Sequence, residues 1–244
     1  MKNKKMWYNN LGGFMRLDKF LANLKYGSRN DIKKLCKKNL VKVNGVIVKD
    51  SDKDINPLED IVEINGLKVF YKENITLIMN KPAGYICSTV DEKYPSLLRL
   101  LDDKYSRFEF SFAGRLDADT EGLVILSTDG DLIHKITSPN KEMYKVYYVK
   151  TKEKIENEKV LETPITLLDG KGDEYTTKGA KIAKISDYEL FVSITEGKFH
   201  QVKRMLKYIN NKVVYLKRIK IGNLELPSEL ALGEFKEITV DEIF

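Results

Sequence analysis

The sequence is poor in the residues that cross-link a fold or hold a metal. Its two cysteines, Cys36 and Cys87, cannot make a disulfide framework, and its two histidines, His134 and His200, leave no zinc cluster. No stretch approaches the roughly 20 apolar residues that a transmembrane helix needs. Lys2, Lys4 and Lys5 open the chain without an apolar run behind them, so the N-terminus does not read as a signal peptide. There is no G-x-S-x-G elbow, P-loop or G-x-G-x-x-G, which leaves serine hydrolase, NTPase and dinucleotide readings without support. These absences point to a soluble, cytoplasmic protein without metal.

What is present suffices for a packed core. Of 244 residues, 42% are hydrophobic and 10% aromatic, enough for one large domain or a small and a medium one. The net charge of +6 is unevenly spread. Residues 16–42 hold nine Lys/Arg against two Asp, and residues 196–220 hold eight against one Glu, so each block carries +7. Three more lysines lie within residues 1–14, and the remainder of the chain is net −11. Segregated positive charge suits a polyanion, because each neutralised phosphate releases counterions. It equally suits two solvated helix faces, and charge does not choose between them.

Residues 1–14 read as a flexible tail or extension, and Met15, which opens the patterned segment, is a candidate translation start. Leu17, Phe20, Leu21 and Leu24 follow a helical period. Gly27 can stop that helix and Ser28 can cap a second, with Ile32, Leu35 and Cys36 on its apolar face and Lys33, Lys34, Lys37 and Lys38 opposite. Residues 41–48 form two β-branched runs around Asn44-Gly45, a strong hairpin signal. Strands are expected at 60–64 and 67–70. This order of elements, with MRLDKFLA and LVKVNGVIV, resembles the S4 RNA-binding domain over residues 15–68. The resemblance implies RNA-backbone contacts at Arg16, Lys19, Arg29, Lys33, Lys34 and Lys37, which would position the protein without reading sequence.

After a linker at 69–74 the pattern becomes mixed. Buried strands are expected at 75–79 and 122–128, a short helix at 96–102, half-buried strands at 145–151 and 188–194, and an amphipathic helix at 199–210. Irregularly connected strands with few helices predict an α+β domain on a large mixed sheet over 75–244. Its densest polar cluster is GRLDADTEG, residues 114–122. A carboxylate on a sharp turn between core strands is rigidly aimed, as a catalytic group must be. An Asx-turn capping backbone amides would need the same residues.

Four segments in order resolve that ambiguity. GRLDADTEG, LIMNKPAG at 77–84, the Lys145-x-Tyr147-x-Val149 pattern within SPNKEMYKVYYV, and TEGKFHQVKRM at 195–205 resemble the pseudouridine synthases. The branch is the one that modifies ribosomal RNA behind an S4 domain. The wording around Phe199-His200-Gln201 resembles its small-subunit, 16S type, the RsuA family.

The resemblance implies isomerisation of one uridine, position 516 of 16S rRNA, with no cofactor or metal. A 23S rRNA substrate is the first alternative, and a non-catalytic RNA-binding assembly factor the second. The expected partner is ribosomal RNA or a small-subunit assembly intermediate, met by a monomer. Asp117 is implied as the essential carboxylate and Lys203 as the cation beside it, with Arg204 the rival. Tyr147 would lie against the target base, with Tyr148 and Tyr144 as rivals in register. Arg115 would hold the opened strand or fill the space of the flipped base, unless it pairs with Asp119 or Glu121. His200 reads as a structural hydrogen-bonding residue rather than a general base. The second basic block, helix and 212–220 together, would border the cleft.

Overall fold

Local signals set the first helices. In the computed structural model, which describes residues 13–138 and 142–244, a short strand β1 (Met15–Arg16) leads into α1 (Leu17–Asn23). Helix α2 (Arg29–Lys37) begins in a reciprocal capping box: the Asp31 amide donates to the Ser28 hydroxyl, and the Ser28 amide donates to the Asp31 carboxylate. Strands β2 (Val41–Val43) and β3 (Val46–Ile47) form the expected hairpin. Asn44 and Gly45 both take positive φ there, 52° and 79°, as a tight primed turn requires. Strand β4 (Asp54–Ile55) pairs with β1, while β5 (Val62–Ile64) and β6 (Leu67–Lys68) complete a sheet of order β3-β2-β5-β6. Leu17, Leu21, Ile32, Cys36, Val41 and Ile55 close the core between helices and strands. Each larger side chain of this set contributes about 1.5–3 kcal/mol.

The expected tail lies, through residue 12, outside the described residues, as do residues 139–141 of the SPNKEMYKVYYV run.

The chain divides into two compact units. The first comprises residues up to Glu73 together with Asp102–Phe108, and the second Asn74–Leu101 with Glu109–Phe244. In the first unit the returning segment packs Tyr105 and Phe108 edge-on against Phe70, with centroids 5.9 and 5.7 Å apart. Arg107 lies over the Tyr26 ring at 4.0 Å and donates to the Lys25 carbonyl at 3.0 Å.

The second unit is built on β7 (Thr76–Lys81), β8 (Ser111–Ala113), β9 (Glu121–Ser127) and β10 (Lys145–Thr151), with α3 (Gly130–Thr137) between the last two. A separate hairpin, β11 (Thr166–Leu168) and β12 (Glu174–Thr176), precedes β13 (Lys181–Lys184) and β14 (Glu189–Ile194). Helix α4 (Gln201–Tyr208) leads to β15 (Val213–Ile221), β16 (Leu224–Glu225) and β17 (Phe235–Glu237). The main sheet runs β13-β14-β10-β15-β9-β7-β17, with β8 on β9 and β16 on β15. Among the described strands of this sheet β15 and β9 pair in parallel and the others antiparallel, so the sheet is mixed, as the α+β expectation requires.

Several expected boundaries need correction. The strand expected at 75–79 runs on through Asn80 and Lys81, whose backbones stay paired with Leu123 and Gly122 of β9, while the Asn80 amide and the Lys81 amine donate to the Leu230 and Thr120 carbonyls. The helix expected at 96–102 is a single 3₁₀ turn, Leu97–Leu100. The helix expected at 199–210 excludes Phe199 and His200, since His200 takes φ 53°, ψ 28° and cannot join an α-helical turn. Helix α3 lies where the sequence pattern predicts no helix. It begins at Asp129, whose carboxylate accepts from the Asp131 and Leu132 amides.

Candidate active site

The GRLDADTEG segment leaves β8 at Gly114, which takes φ +78°, and enters β9 at Glu121. The Thr120 amide closes the turn on the Asp117 carbonyl at 3.1 Å, and the Gly84 amide holds it at the Ala118 carbonyl. Gly122 is required by close approach: a Cβ there would lie 2.1 Å from the Arg218 carbonyl oxygen across the parallel pairing.

Beneath this turn lie three buried cations that have no carboxylate partner among the described residues. Lys81 donates to the carbonyls of Thr120 (2.8 Å), Pro82 (3.0 Å) and Ala118 (3.4 Å). Arg218 donates from Nε to the Leu123 carbonyl and from Nη2 to the Gly114 carbonyl. Lys145 donates to the Thr195 and Met143 carbonyls. Burial pushes the Lys81 amine down to about 8, and burial with the nearby Arg218 charge lowers Lys145. Buried charge of one sign raises the local potential around any carboxylate above it. Sequence reasoning gives Lys81 and Arg218 no role of their own, placing one only within the LIMNKPAG motif and the other only within the basic block expected to border the cleft. The signal available was a lysine ending an otherwise apolar strand and an arginine in the interior of another.

Asp117 stands at the top of the turn, its side chain a quarter exposed (25%). Lys203, from the first turn of α4, donates to Asp117 Oδ2 at 2.9 Å and to Asp119 Oδ1 at 2.6 Å. Burial opposes the charge on Lys203, but its hydrogen bonds to Asp119 and Asp117 outweigh that and raise its pKa. Asp119 is likewise pushed up by burial, yet the Lys203 hydrogen bond holds it below the usual carboxylate range. On the other carboxylate oxygen of Asp117, His200 Nε2 lies 3.3 Å away.

Of the expected site residues, Asp117 and Lys203 are thus brought together. The rival cation Arg204 turns elsewhere, donating to the Leu168 carbonyl and lying over the Phe199 ring. Tyr147 is buried at 7% exposure and pairs in register with Arg218 and Val192. Strand alternation puts it on the same sheet face as Lys145, whose Cε lies 3.9 Å from where a Cβ on Gly114 would be. Tyr148 faces the opposite side, against Phe191 and Tyr215, with its hydroxyl donating to Glu189. Tyr144 lies under the Lys181 amine at 4.2 Å. Arg115 is exposed, and the pairings weighed for it are taken: Asp119 by Lys203, and Glu121 by the Tyr215 hydroxyl.

The second basic block requires correction. Arg218 is buried as a support of the turn, Lys220 pairs with Glu225, and Lys217 lies with Tyr148 on the reverse face of the sheet. Only part of that block can border the site.

In the first unit, Arg29, Lys33 and Lys37 project from one exposed face of α2, spaced by four residues, and Lys19 is half-buried on α1. Arg16 is held by Asp18 at 2.7 Å, and Lys34 pairs with Asp31 at 3.3 Å.

The family model described as RNA pseudouridylate synthase matches residues 75–208, and the S4 domain model matches residues 15–62. An uncharacterized RNA pseudouridine synthase of Bacillus subtilis is 42% identical over 94% of this chain and 97% of its own length. The ribosomal small subunit pseudouridine synthases A of Haemophilus influenzae and Escherichia coli are 37% and 34% identical, each over 94% of this chain and 98% of theirs. A crystal structure of a pseudouridylate synthase superposes with a TM-score of 0.65 at 36% identity, covering 94% of this chain and 98% of that one.

Proposed function

This chain belongs to the RNA pseudouridylate synthase family, and from that premise we propose that it isomerises a single uridine of 16S ribosomal RNA, position 516, through Asp117. The observation that carries the reading is the Asp117 carboxylate, raised on a braced turn and hydrogen-bonded by Lys203, with the buried Tyr147 on the same sheet face. The 16S assignment draws on the small-subunit relatives named above.

The reaction breaks the N1–C1′ bond of the uridine, rotates the base and forms a C5–C1′ bond. The proton leaves C5 and N1 ends protonated, so the product is an isomer. Asp117 acts on the ribose, as nucleophile or as base, and either role needs it ionised. Lys203 donates to Asp117 Oδ2 and holds the carboxylate in place. Tyr147 stacks against the base, worth roughly 1–3 kcal/mol, comparable with the cost of unstacking a nucleotide. Arg115, exposed beside the turn, takes the opened strand. Arg29, Lys33 and Lys37 grip RNA backbone from the S4 domain, and the protein acts as a monomer on rRNA or a small-subunit assembly intermediate in the cytoplasm.

Tritium release from 16S rRNA labelled at uridine C5 tests this directly. Release by wild type and none by Asp117→Asn is expected. Release from 23S rRNA alone would move the substrate. Release by the Asn variant at the wild-type rate would remove Asp117 from the mechanism.

A further inference from the structure

The role of Asp117 proposed above leaves one neighbour unused. We infer that His200 is a positioning residue that fixes the plane of the Asp117 carboxylate, taking Oδ1 while Lys203 takes Oδ2. The inference rests on that reading of Asp117, and its contact is observed independently of it.

A carboxylate turns easily about its last bond, where the torsional preference is broad and roughly two-fold. Lys203 alone is a poor brake. Its amine is a point charge on a flexible stem and is shared with Asp119. His200 supplies a second, rigid point, with Nε2 3.3 Å from Oδ1. Among the described residues no other polar group pairs with this imidazole. The residue occupies the N-cap position of α4, yet its side chain caps no helix amide, so helix capping does not explain where the ring points.

The ring is delivered by two features. The backbone at His200 is left-handed, φ 53°, a conformation uncommon outside glycine but one in which Asn, Asp and His are enriched. Such strain persists where the surroundings impose it, and it clusters at functional sites. Behind the imidazole, Phe199 stacks on it with centroids 3.7 Å apart and planes 21° from parallel. Phe199 is itself braced by the loop after β11. A Cβ on Gly170 would lie 2.9 Å from its Cδ1, and Arg204, lying over the Phe199 ring, ties down to the Leu168 carbonyl. A hairpin remote from the reacting atoms therefore sets the angle of one carboxylate through Phe199 and His200.

The test compares kcat and KM for tritium release by wild type, Asp117→Asn, His200→Phe, His200→Gln and His200→Asn. Phenylalanine keeps the stack and removes the N–H, glutamine returns an amide donor near the Nε2 position, and asparagine suits the left-handed backbone but falls short of Asp117. The Phe and Asn variants are expected to lose roughly 10- to 100-fold in kcat, with KM within about twofold, and Gln to recover most of the loss. Thermal unfolding identifies a variant that fails to fold; if Phe is one, the Asn–Gln comparison decides.

Folded Phe or Asn variants with wild-type kcat would overturn the inference, as would a Gln variant no faster than they are. A second readout needs no turnover. The chain has two histidines, so imidazole nitrogen signals are assigned with a His134→Gln variant. The His200 pair should move in Asp117→Asn; signals that stay put would also overturn the inference. Wild type inactive on all rRNA would sink the functional reading instead, leaving this second readout to decide the contact.

Discussion

Lys203 reaches Asp117 across 86 residues of sequence, its amine donating to Oδ2 at 2.9 Å from the first turn of α4. Removing it leaves a partly buried carboxylate with one polar neighbour fewer. A hydrogen bond to a charged group is worth about 1.5–3 kcal/mol, so Lys203→Met should lower kcat roughly 10- to 100-fold. Lys203→Arg, which keeps the charge, should recover most of it. Tritium release under saturating RNA measures both.

Lys81 gives a stability test with a defined pH dependence. Its folded pKa lies near 8 against 10.5 for the ordinary amine, so between those values the unfolded chain binds a proton that the folded one does not. Stability from this group therefore rises with pH from about 8 to about 10.5 and is lost as pH falls through 8. Lys81→Met should destabilise by about 1–3 kcal/mol at neutral pH, because it strips donors from buried carbonyls of the turn. The gap to wild type should widen between pH 8 and 10 in denaturant melts. A gap that narrows would contradict the depressed pKa.

The two neighbouring tyrosines should separate cleanly. Tyr147 lies on the face of the turn and Tyr148 on the reverse face, bonded to Glu189. Tyr147→Ala should depress tritium release by at least tenfold, the low end of a lost base stack. Tyr148→Phe should leave the rate within about twofold and cost only a surface hydrogen bond.

For the S4 unit the expected readout is salt dependence. Replacing Arg29, Lys33 and Lys37 together by Gln should weaken RNA binding and flatten the slope of log K against log salt by roughly 2–3, slightly under one per phosphate contact. The single-turnover rate on bound RNA should not change. An unaltered slope would show that this face of α2 does not meet phosphate.

Gly122→Ala should be severe. The new methyl would overlap the Arg218 carbonyl at 2.1 Å and part β9 from β15 at the base of the turn. A loss of at least about 3 kcal/mol is expected, in the range that marks overpacking combined with backbone strain. Urea unfolding of the variant measures it.

The elements legible in the sequence were those fixed by short-range chemistry. Ser28 marked the start of α2, Asn44-Gly45 marked a hairpin, and alternation over residues 145–151 gave β10 with its true bounds. The GRLDADTEG turn stands out because two glycines and adjacent carboxylates are a local pattern, and the family resemblance implies Asp117 within it. Residues that act at long range were not legible as such. Lys81 looks like the polar end of a strand until β9 brings the turn over it. Arg218 looks like part of a solvated basic run until β15 carries it into the sheet. His200 was read as belonging to a helix, because periodicity does not report a single left-handed residue at its start.

The return of Asp102–Phe108 to the first unit gives the chain three crossings between the two bodies, after Glu73, Leu101 and Phe108. No single cut separates them. A chain ending at Glu73 would lack the rings that meet Phe70 and the guanidinium that covers Tyr26, and one starting at Asn74 would carry those same groups with nothing to cover them. Grafting this S4 unit onto another enzyme would therefore mean moving two pieces of sequence. The module is discontinuous, and its inheritance is bound to an insertion inside its neighbour.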